Sequence, residues 1–330
     1  MRVIITGGCG FIGHHMVDHI LANTDWDVDI VDSLTYASFG FERLNVTRAK
    51  NNPRVRVFTN NIAQPFEGYL LKELQNCDYI IHLGAETHVD NSISNPTPFV
   101  MSNIVGTMNV LEFARNCGNL KKMIYFSTDE VFGPANKDLH PDGYDEWDRY
   151  NSGNPYSATK ASAEELSLAW CNTYKVPIVI SHCSNVFGER QHPEKFIPKA
   201  IKSILEGKKL YIHADPTKTI PGSRYWIHAR NVAAATLFII NNGVIGDKYN
   251  IIDENEIDNL AVAQLIAKII DKPLDYELTD FHSSRPGHDL RYSLNGSKLK
   301  KMGFVYPKSF KDSMQKTIKW TVANPKWLEE

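Results

Sequence analysis

Six short runs rich in β-branched and aromatic residues punctuate the first half of the chain: Val3 to Thr6, Val28 to Asp32, Val55 to Thr59, Tyr79 to Leu83, Met123 to Ser127 and Pro177 to Ser181. Longer stretches of helical periodicity separate them. Such alternation dictates βαβ units, whose right-handed crossovers bring the strands into one parallel sheet. A strand covered by helices on both faces has no solvent side and reads as continuously apolar, as Ile80-Ile81 and Ile178-Val179-Ile180 do. The expectation is an α/β fold with a doubly wound parallel sheet. A chain of 330 residues exceeds one ordinary core. After residue 185, Pro193, Pro198, Pro216, Pro221, Pro273 and Pro286 break up shorter elements. We therefore expect a first domain over 1–185 and a smaller mixed α/β lobe over 186–330, with some segments of the lobe returning to the first domain.

Charge narrows the choice of partner. With 36 basic and 38 acidic residues and a net charge of −2, the chain has no basic field to hold nucleic acid, so a small-molecule partner is expected. Cys9, Cys77, Cys117, Cys171 and Cys183 are odd in number and scattered, which reads as reduced thiols with no metal site. No stretch approaches a membrane span in length or apolarity, which points to a cytoplasmic protein without a membrane partner. Two helical segments, Pro98 to Asn116 and Pro155 to Tyr174, carry apolar residues at helical spacing, such as Val105, Met108, Leu111 and Phe113, or Ala161, Leu166 and Trp170. Packing against the sheet accounts for that pattern, and so does a homodimer face.

Gly7-Gly8-Cys9-Gly10-Phe11-Ile12-Gly13 follows the first strand directly and opens a helix. Glycines allow the tight turn and let a pyrophosphate approach amides at the helix N-terminus, where the dipole favours anions. Asp32 ends the second strand, where an acidic residue accepts bonds from an adenosine ribose and repels a 2′-phosphate, so NAD is expected over NADP. Ser33, Thr35 and Tyr36 follow it beside the adenosine.

Ser127-Thr128-Asp129-Glu130-Val131 ends the fifth run with hydroxyls and two adjacent carboxylates. In an open α/β sheet the carboxyl ends of the strands face the ligand. Two carboxylates in different surroundings can divide acid and base work, although the same residues also suit a helix N-terminus. Tyr156-Ser157-Ala158-Thr159-Lys160 places a phenol and an ammonium four residues apart, on one face of a helix starting near Pro155. A nearby cation favours phenolate and lowers the tyrosine pKa, which suits Tyr156 to act as base toward a secondary alcohol. One such pair is expected by chance in a chain of this composition, so its meaning comes from the dinucleotide turn and the strand-end hydroxyls that accompany it.

Together these features resemble the extended short-chain dehydrogenase/reductase superfamily, with its Rossmann domain. Further motifs resemble the nucleotide-sugar 4,6-dehydratases within it, especially the dTDP-glucose type. They are His82-Leu83-Gly84-Ala85-Glu86-Thr87-His88-Val89-Asp90, Thr128-Asp129-Glu130, Asn185 with Pro193-Glu194-Lys195-Phe196-Ile197-Pro198, and Arg285-Pro286-Gly287-His288-Asp289. The resemblance spans nearly the whole chain, and Thr128-Asp129-Glu130 is its most specific part.

It implies oxidation of the sugar C4 by bound NAD, loss of water across C5 and C6, and reduction at C6, in deoxysugar biosynthesis of the kind that feeds rhamnose pathways. Tyr156 takes the 4-hydroxyl proton, with Lys160 and Thr128 in support; Glu130 is the base at C5 and Asp129 the acid at O6. Asn61, Ile62, Leu83, Ala85 and Thr87 join the glycine turn, Asp32, Tyr156 and Lys160 around NAD. Glu86, His88, Thr128, Asn185, Glu194, Lys195, Phe196, Arg224 and Arg291 are implied at the nucleotide-diphospho-sugar. The related activities kept open are a UDP-glucose 4,6-dehydratase, a nucleotide-sugar 4-epimerase and a UDP-glucuronate decarboxylase; a non-catalytic dinucleotide sensor would have lost the tyrosine, lysine or acids.

Three departures from the family pattern stand out. Asn60-Asn61-Ile62 replaces an expected Asp before Ile, the stretch Asp215 to Arg224 is long, and Tyr225-Trp226-Ile227 replaces an Asp-Trp pattern, which leaves the register of Arg224 open. His14 and His15, after the last glycine, read as helix packing or surface rather than as ligands.

Overall fold

The computed structural model describes residues 1–280 and 290–329. All six expected runs are strands: β1 (Arg2–Thr6), β2 (Asp27–Asp32), β3 (Val55–Thr59), β4 (Tyr79–His82), β5 (Lys122–Thr128) and β6 (Ile178–Cys183). Six more follow among the described residues: β7 (Asn185–Phe187), β8 (Leu210–Ala214), β9 (Ser223–His228), β10 (Lys248–Ile251), β11 (Glu256–Asp258) and β12 (Tyr276–Asp280). The large sheet runs β10-β6-β5-β4-β1-β2-β3, all parallel. Chain order reverses between β1 and β4. Their carboxyl ends therefore open the crevice in which such a sheet binds its ligand.

Helices cover both faces. On one face Met16 and Ile20 of the helix Phe11–Asn23 share a core with Val232 and Ile239 of the helix Ala229–Asn242. On the other face Val110, Leu111 and Ala163 pack over Ile80, Met123 and Ile178. Residues 229–251 thus return from the second half of the chain to the large sheet, because β10 pairs with β6. The lobe has its own core, built on Ile201, Ile212, Trp226, Ile266 and Ile318, and two small sheets, β11-β9-β7 and β12-β8.

The helix Pro155–Tyr174 has the predicted limits, and its start is built twice over. Asn154 caps it by accepting from the Ser157 amide at 2.8 Å, Ser157 Oγ accepts from the Asn154 amide at 3.2 Å, and Pro155 takes the first helical position, where no N–H is needed. The stretch Pro98 to Asn116 is not the single α-helix predicted. It comprises a short turn Thr97–Phe99, a π-helical stretch Val100–Val105 and an α-helix Gly106–Arg115. The widened turn contains Asn103, whose amide accepts from Glu86 N at 2.8 Å and donates to the Glu86 carbonyl at 3.0 Å and to Thr159 Oγ1 at 2.9 Å. Such bulges are rare and concentrate at functional sites. Here the Asn103 side chain fixes the segment after β4.

The long stretch 215–224 resolves into a tight turn between β8 and β9, in which Asp215 accepts from the Thr219 and Ile220 amides at 2.8 and 2.7 Å. It lengthens a connection without adding an element. No helix among the described residues is long and apolar enough to cross a membrane.

Candidate active site

One crevice collects the glycine turn, the ends of β1, β2, β4, β5 and β6, and the segment after β7. Gly7, Gly10, Phe11, Ile12 and Gly13 line its floor. Two of the glycines are sterically required. Gly7 has φ +72°, where side chains are strained, and a Cβ on Gly13 would lie 2.1 Å from the Gly7 carbonyl. The backbone of the turn therefore folds onto itself and stays bare toward the crevice.

Asp32 sits at the end of β2 with its carboxylate accepting from the Cys9 amide at 2.9 Å and the Leu34 amide at 2.8 Å. Burial pushes its pKa up, and those two amides and the nearby Arg43 charge oppose the rise. Ser33, Thr35, Asn61 and Ile62 line the same end, and Leu83, Ala85 and Thr87 the middle. Asn61 spends its side-chain oxygen on the Ala63 amide at 2.9 Å, shaping its own turn. Tyr36 is half-exposed and not among the lining residues, its hydroxyl accepting from Asn91 Nδ2 and its ring edge-on to His192.

A polar ligand fits this floor. Ser127 Oγ, Ser184 Oγ, Asn185 Oδ1 and Gln191 Oε1 all belong to crevice-lining residues and are buried without a hydrogen-bond partner in the structure. Buried polar atoms are rarely left so, and four among the lining residues call for a ligand that supplies partners. A dinucleotide on a bare amide turn, with a carboxylate at the ribose end, meets that demand.

At the other end of the crevice β5 delivers Thr128, Asp129 and Glu130, which start a 3-10 turn, Asp129–Phe132. Thr128 Oγ1, not the acid pair, caps this turn at 3.4 Å from the Glu130 amide, and Asp129 and Glu130 both line the crevice. Their surroundings differ. Asp129 is 5% exposed, and burial, then the Glu130 charge, raise it to about 7, which favours the protonated form that an acid needs. Glu130 accepts from Asn154 Nδ2 at 3.2 Å and faces the Tyr292 hydroxyl at 3.5 Å.

The Tyr156 phenol is hydrogen-bonded to the Thr128 hydroxyl, and Thr128 also reaches Asp129 Oδ1 at 3.2 Å. Tyr156 and Lys160 are both buried and line the crevice. The electrostatics differ from the simple expectation. Burial, then Glu130, push the Tyr156 phenol well above its ordinary value, with Thr128 pulling the other way. Burial also brings Lys160 down to about 7; its ammonium donates to the Phe126 carbonyl and lies 4.5 Å from the centre of the Tyr125 ring.

The residues expected at the sugar nucleotide divide. Glu86, Asn185, Glu194 and Lys195 line the crevice. Burial, then Glu194, raise the Glu86 pKa. His88 caps the helix Val89–Ser94 and approaches Glu194 at 3.7 Å, as does His192. Phe196 begins the helix Phe196–Glu206 with its ring 5.8 Å from Trp226.

Arg224 lies on β9, outside the crevice wall, over the Tyr292 ring at 4.4 Å and donating to the Ser223 and Leu290 carbonyls; its charge still lowers the Asp129 pKa. Arg291 is the clearest departure from the substrate contact expected of it. Its guanidinium is engaged by Glu256 at 2.9 to 3.1 Å, by the Ala135, His140 and Pro141 carbonyls and by Ser293 Oγ, which makes it a clamp between the lobe and the segment 135–141. Residues 285–289 lie outside the described residues. Sequence reasoning missed Asn154, Tyr292, Gln191 and His192. Only Asn154 carried a signal, as the polar residue before Pro155.

Residues 3–251 match the NAD dependent epimerase/dehydratase family. A dTDP-glucose 4,6-dehydratase of Escherichia coli is 37% identical over 357 residues, spanning 100% of this chain and 96% of that protein. A trifunctional UDP-glucose 4,6-dehydratase/3,5-epimerase/reductase of Arabidopsis thaliana is 35% identical across 99% of this chain and 48% of its own length. The crystal structure of a dTDP-glucose 4,6-dehydratase from Streptomyces venezuelae, with NAD bound, superimposes with a TM-score of 0.89 at 31% identity, covering 100% of this chain and 99% of that one. The chain belongs to the NAD dependent epimerase/dehydratase family, and within it stands with the dTDP-glucose 4,6-dehydratases.

Proposed function

We propose that the chain is an NAD-dependent lyase that converts dTDP-glucose to its 4-keto-6-deoxy form. The observation that carries this reading is the acid pair. A simple dehydrogenase or 4-epimerase has no task for two carboxylates beside its tyrosine, whereas elimination of water requires an acid and a base. The glycine turn and Asp32 hold NAD, which supplies hydride acceptance at C4 and its return at C6, together with a positive charge that favours the Tyr156 phenolate.

Tyr156, oriented by Thr128, accepts the proton of the sugar 4-hydroxyl. The C4 ketone makes the C5 proton acidic, and Glu130, aimed by Asn154, removes it. Asp129 gives its proton to O6, which leaves as water, and Glu130 returns a proton, exchanged with solvent, to C5. Lys195 stands at the diphosphate end, where a cation suits phosphate.

Offering purified protein dTDP-glucose and UDP-glucose separately, in deuterated water, tests activity and base together. We expect a 4-keto product deuterated at C5, with the higher kcat/KM for dTDP-glucose. Glu130→Gln is expected to lose about 100-fold or more in turnover. A C4 epimer formed without loss of water, or full activity in Glu130→Gln, overturns the reading. A higher kcat/KM for UDP-glucose overturns only the base.

The chain acts as a homodimer in this reading. Val100, Met101 and Met108 are exposed on the segment Thr97–Arg115, and Tyr174 is exposed at the end of the neighbouring helix. A patch of this kind is what partner surfaces leave open in a lone chain. Sedimentation of Met101→Glu/Met108→Lys is expected to show monomers where the unaltered chain shows dimers, and a monomeric unaltered chain removes the proposal.

A further inference from the structure

His14 and His15 are buried, and His14 is the centre of a polar relay beneath the crevice. His14 Nδ1 lies 3.0 Å from the Gly10 carbonyl, and Arg190 Nε lies 2.9 Å from His14 Nε2. A guanidinium only donates, so Nε2 is the accepting nitrogen and Nδ1 carries the proton given to Gly10. The Arg190 carbonyl in turn accepts from Arg43 Nε at 2.9 Å, and Arg43 Nη1 donates to the Ala37 carbonyl.

Four bonds in series thus join the glycine turn after β1, the segment after β7 that carries Gln191 and Glu194, and the loop after β2 that carries Thr35. Gly10 and Ala37 both line the crevice. Aromatic rings hold the two cations, with Phe39 at 4.9 Å and Trp327 at 5.9 Å from Arg43, and Trp320 at 5.1 Å from Arg190. Arg43 is 0% exposed, and its Nη2 is buried without a hydrogen-bond partner. As a mere core filler such a side chain is a poor choice, because an apolar one of similar volume avoids the desolvation of a charge. What the arginine offers instead is reach to two backbone carbonyls on two loops.

We propose that the His14–Arg190–Arg43 relay is a positioning device for the dinucleotide, holding the glycine turn and the adenosine-side loop at the spacing that bound NAD requires, through side chains that do not touch it. The inference rests on NAD occupying the crevice.

The relay also carries a pH dependence. His14 faces Arg190, Arg43 and the His15 ring, centred 4.0 Å away. Behind His15 stand His228 and Glu189, and Glu189 also pairs with Arg230 at 3.3 Å. Burial, then the Arg190 charge, keep His14 neutral by holding its pKa well below the ordinary range. Protonation would set an Nε2–H against the Arg190 Nε–H and break the middle bond.

The test is the NAD dissociation constant of Arg190→Met, Arg190→Lys and Arg43→Met by titration calorimetry, with kcat at saturating NAD and the heat-denaturation midpoint measured alongside. A relay that positions the cofactor predicts at least a tenfold rise in Kd for Arg190→Met and Arg43→Met, partial recovery in Arg190→Lys, and kcat within threefold of the unaltered enzyme. It also predicts weaker NAD binding by the unaltered enzyme at acid pH while the fold persists. Unchanged affinity in the variants, with only a lower heat midpoint, overturns the proposal. If the methionine variants do not fold, Arg190→Lys and the pH series decide it, and unchanged affinity in both overturns it. Failure of the unaltered protein to bind NAD at any pH would instead remove the cofactor reading on which the relay depends.

Discussion

At the scale of single residues, chemistry in this chain is set by what buries each group. Asp129 and Glu130 are neighbours of the same type, yet only Asp129 is enclosed, with its pKa at about 7 against an ordinary 3.8. Between those values the folded chain holds a proton that the unfolded chain has lost, so Asp129 contributes stability that is full below about pH 4 and gone as pH rises through about 7. Asp129→Asn is therefore expected to raise stability by about 2 kcal/mol at pH 8 and by almost nothing at pH 4, a figure that discounts the full shift for relaxation of the site. Denaturant titration at the two pH values checks this, and equal gains at both would show that the carboxyl is not buried and protonated as described. The same substitution should slow loss of water from O6 about 100-fold and loss of fluoride from a 6-fluoro sugar much less, because fluoride leaves without a proton. Equal slowing would take Asp129 out of the acid role. Sequence made these residues legible because their types and spacing carry chemistry. It misjudged Arg291 because nothing local reveals that Glu256, distant in the chain, holds its guanidinium.

At the scale of elements, the parallel strands were legible because burial on both faces leaves them unbroken apolar runs. β10 was not, since Lys248–Ile251 carries Lys248 and Asn250, both buried and hydrogen-bonded, and has no such run. The π-helical stretch was equally hidden, because the bonds that Asn103 makes from it reach Glu86 across the fold. The helix Pro155–Tyr174 shows how an element start can serve two purposes, since Asn154 caps it with Oδ1 and holds Glu130 with Nδ2. Asn154→Ser keeps a good capping oxygen but loses the reach to Glu130. It is expected to leave stability within about 0.5 kcal/mol, whereas Asn154→Ala costs about 1 kcal/mol by losing the cap. Both should reduce turnover, by roughly tenfold if the Glu130 contact is worth an ordinary charged hydrogen bond of about 1.5 kcal/mol. Thermal midpoints set beside kcat separate the two purposes; normal turnover in Asn154→Ser would show that Glu130 needs no such guide.

At the scale of the whole molecule, the crevice is assembled from positions 7 to 195, so a ligand there ties together segments that the chain keeps far apart. A ligand that binds only the folded chain stabilises it by RT ln(1 + [L]/Kd), about 2.7 kcal/mol at one hundred times Kd. With an unfolding entropy of roughly 2.1 cal/mol/K per residue, 330 residues unfold with about 0.7 kcal/mol/K, so NAD at that concentration should raise the melting midpoint by about 4 °C. NADP offered at the same concentration meets a different end of the crevice. Its 2′-phosphate would face the Asp32 carboxylate, whose two oxygens already accept from Cys9 and Leu34 and which brings charge of the same sign. Arg43, the nearest cation acting on Asp32, has its guanidinium sequestered beneath the floor and cannot rotate outward without breaking its bonds to Arg190 and Ala37. NADP is therefore expected to give less than a quarter of the NAD shift, and Asp32→Asn should narrow the difference by weakening NAD and relieving NADP together. Equal shifts for the two dinucleotides in the unaltered chain would mean that the ribose end does not lie at Asp32, and the orientation assigned to the cofactor would fall with it.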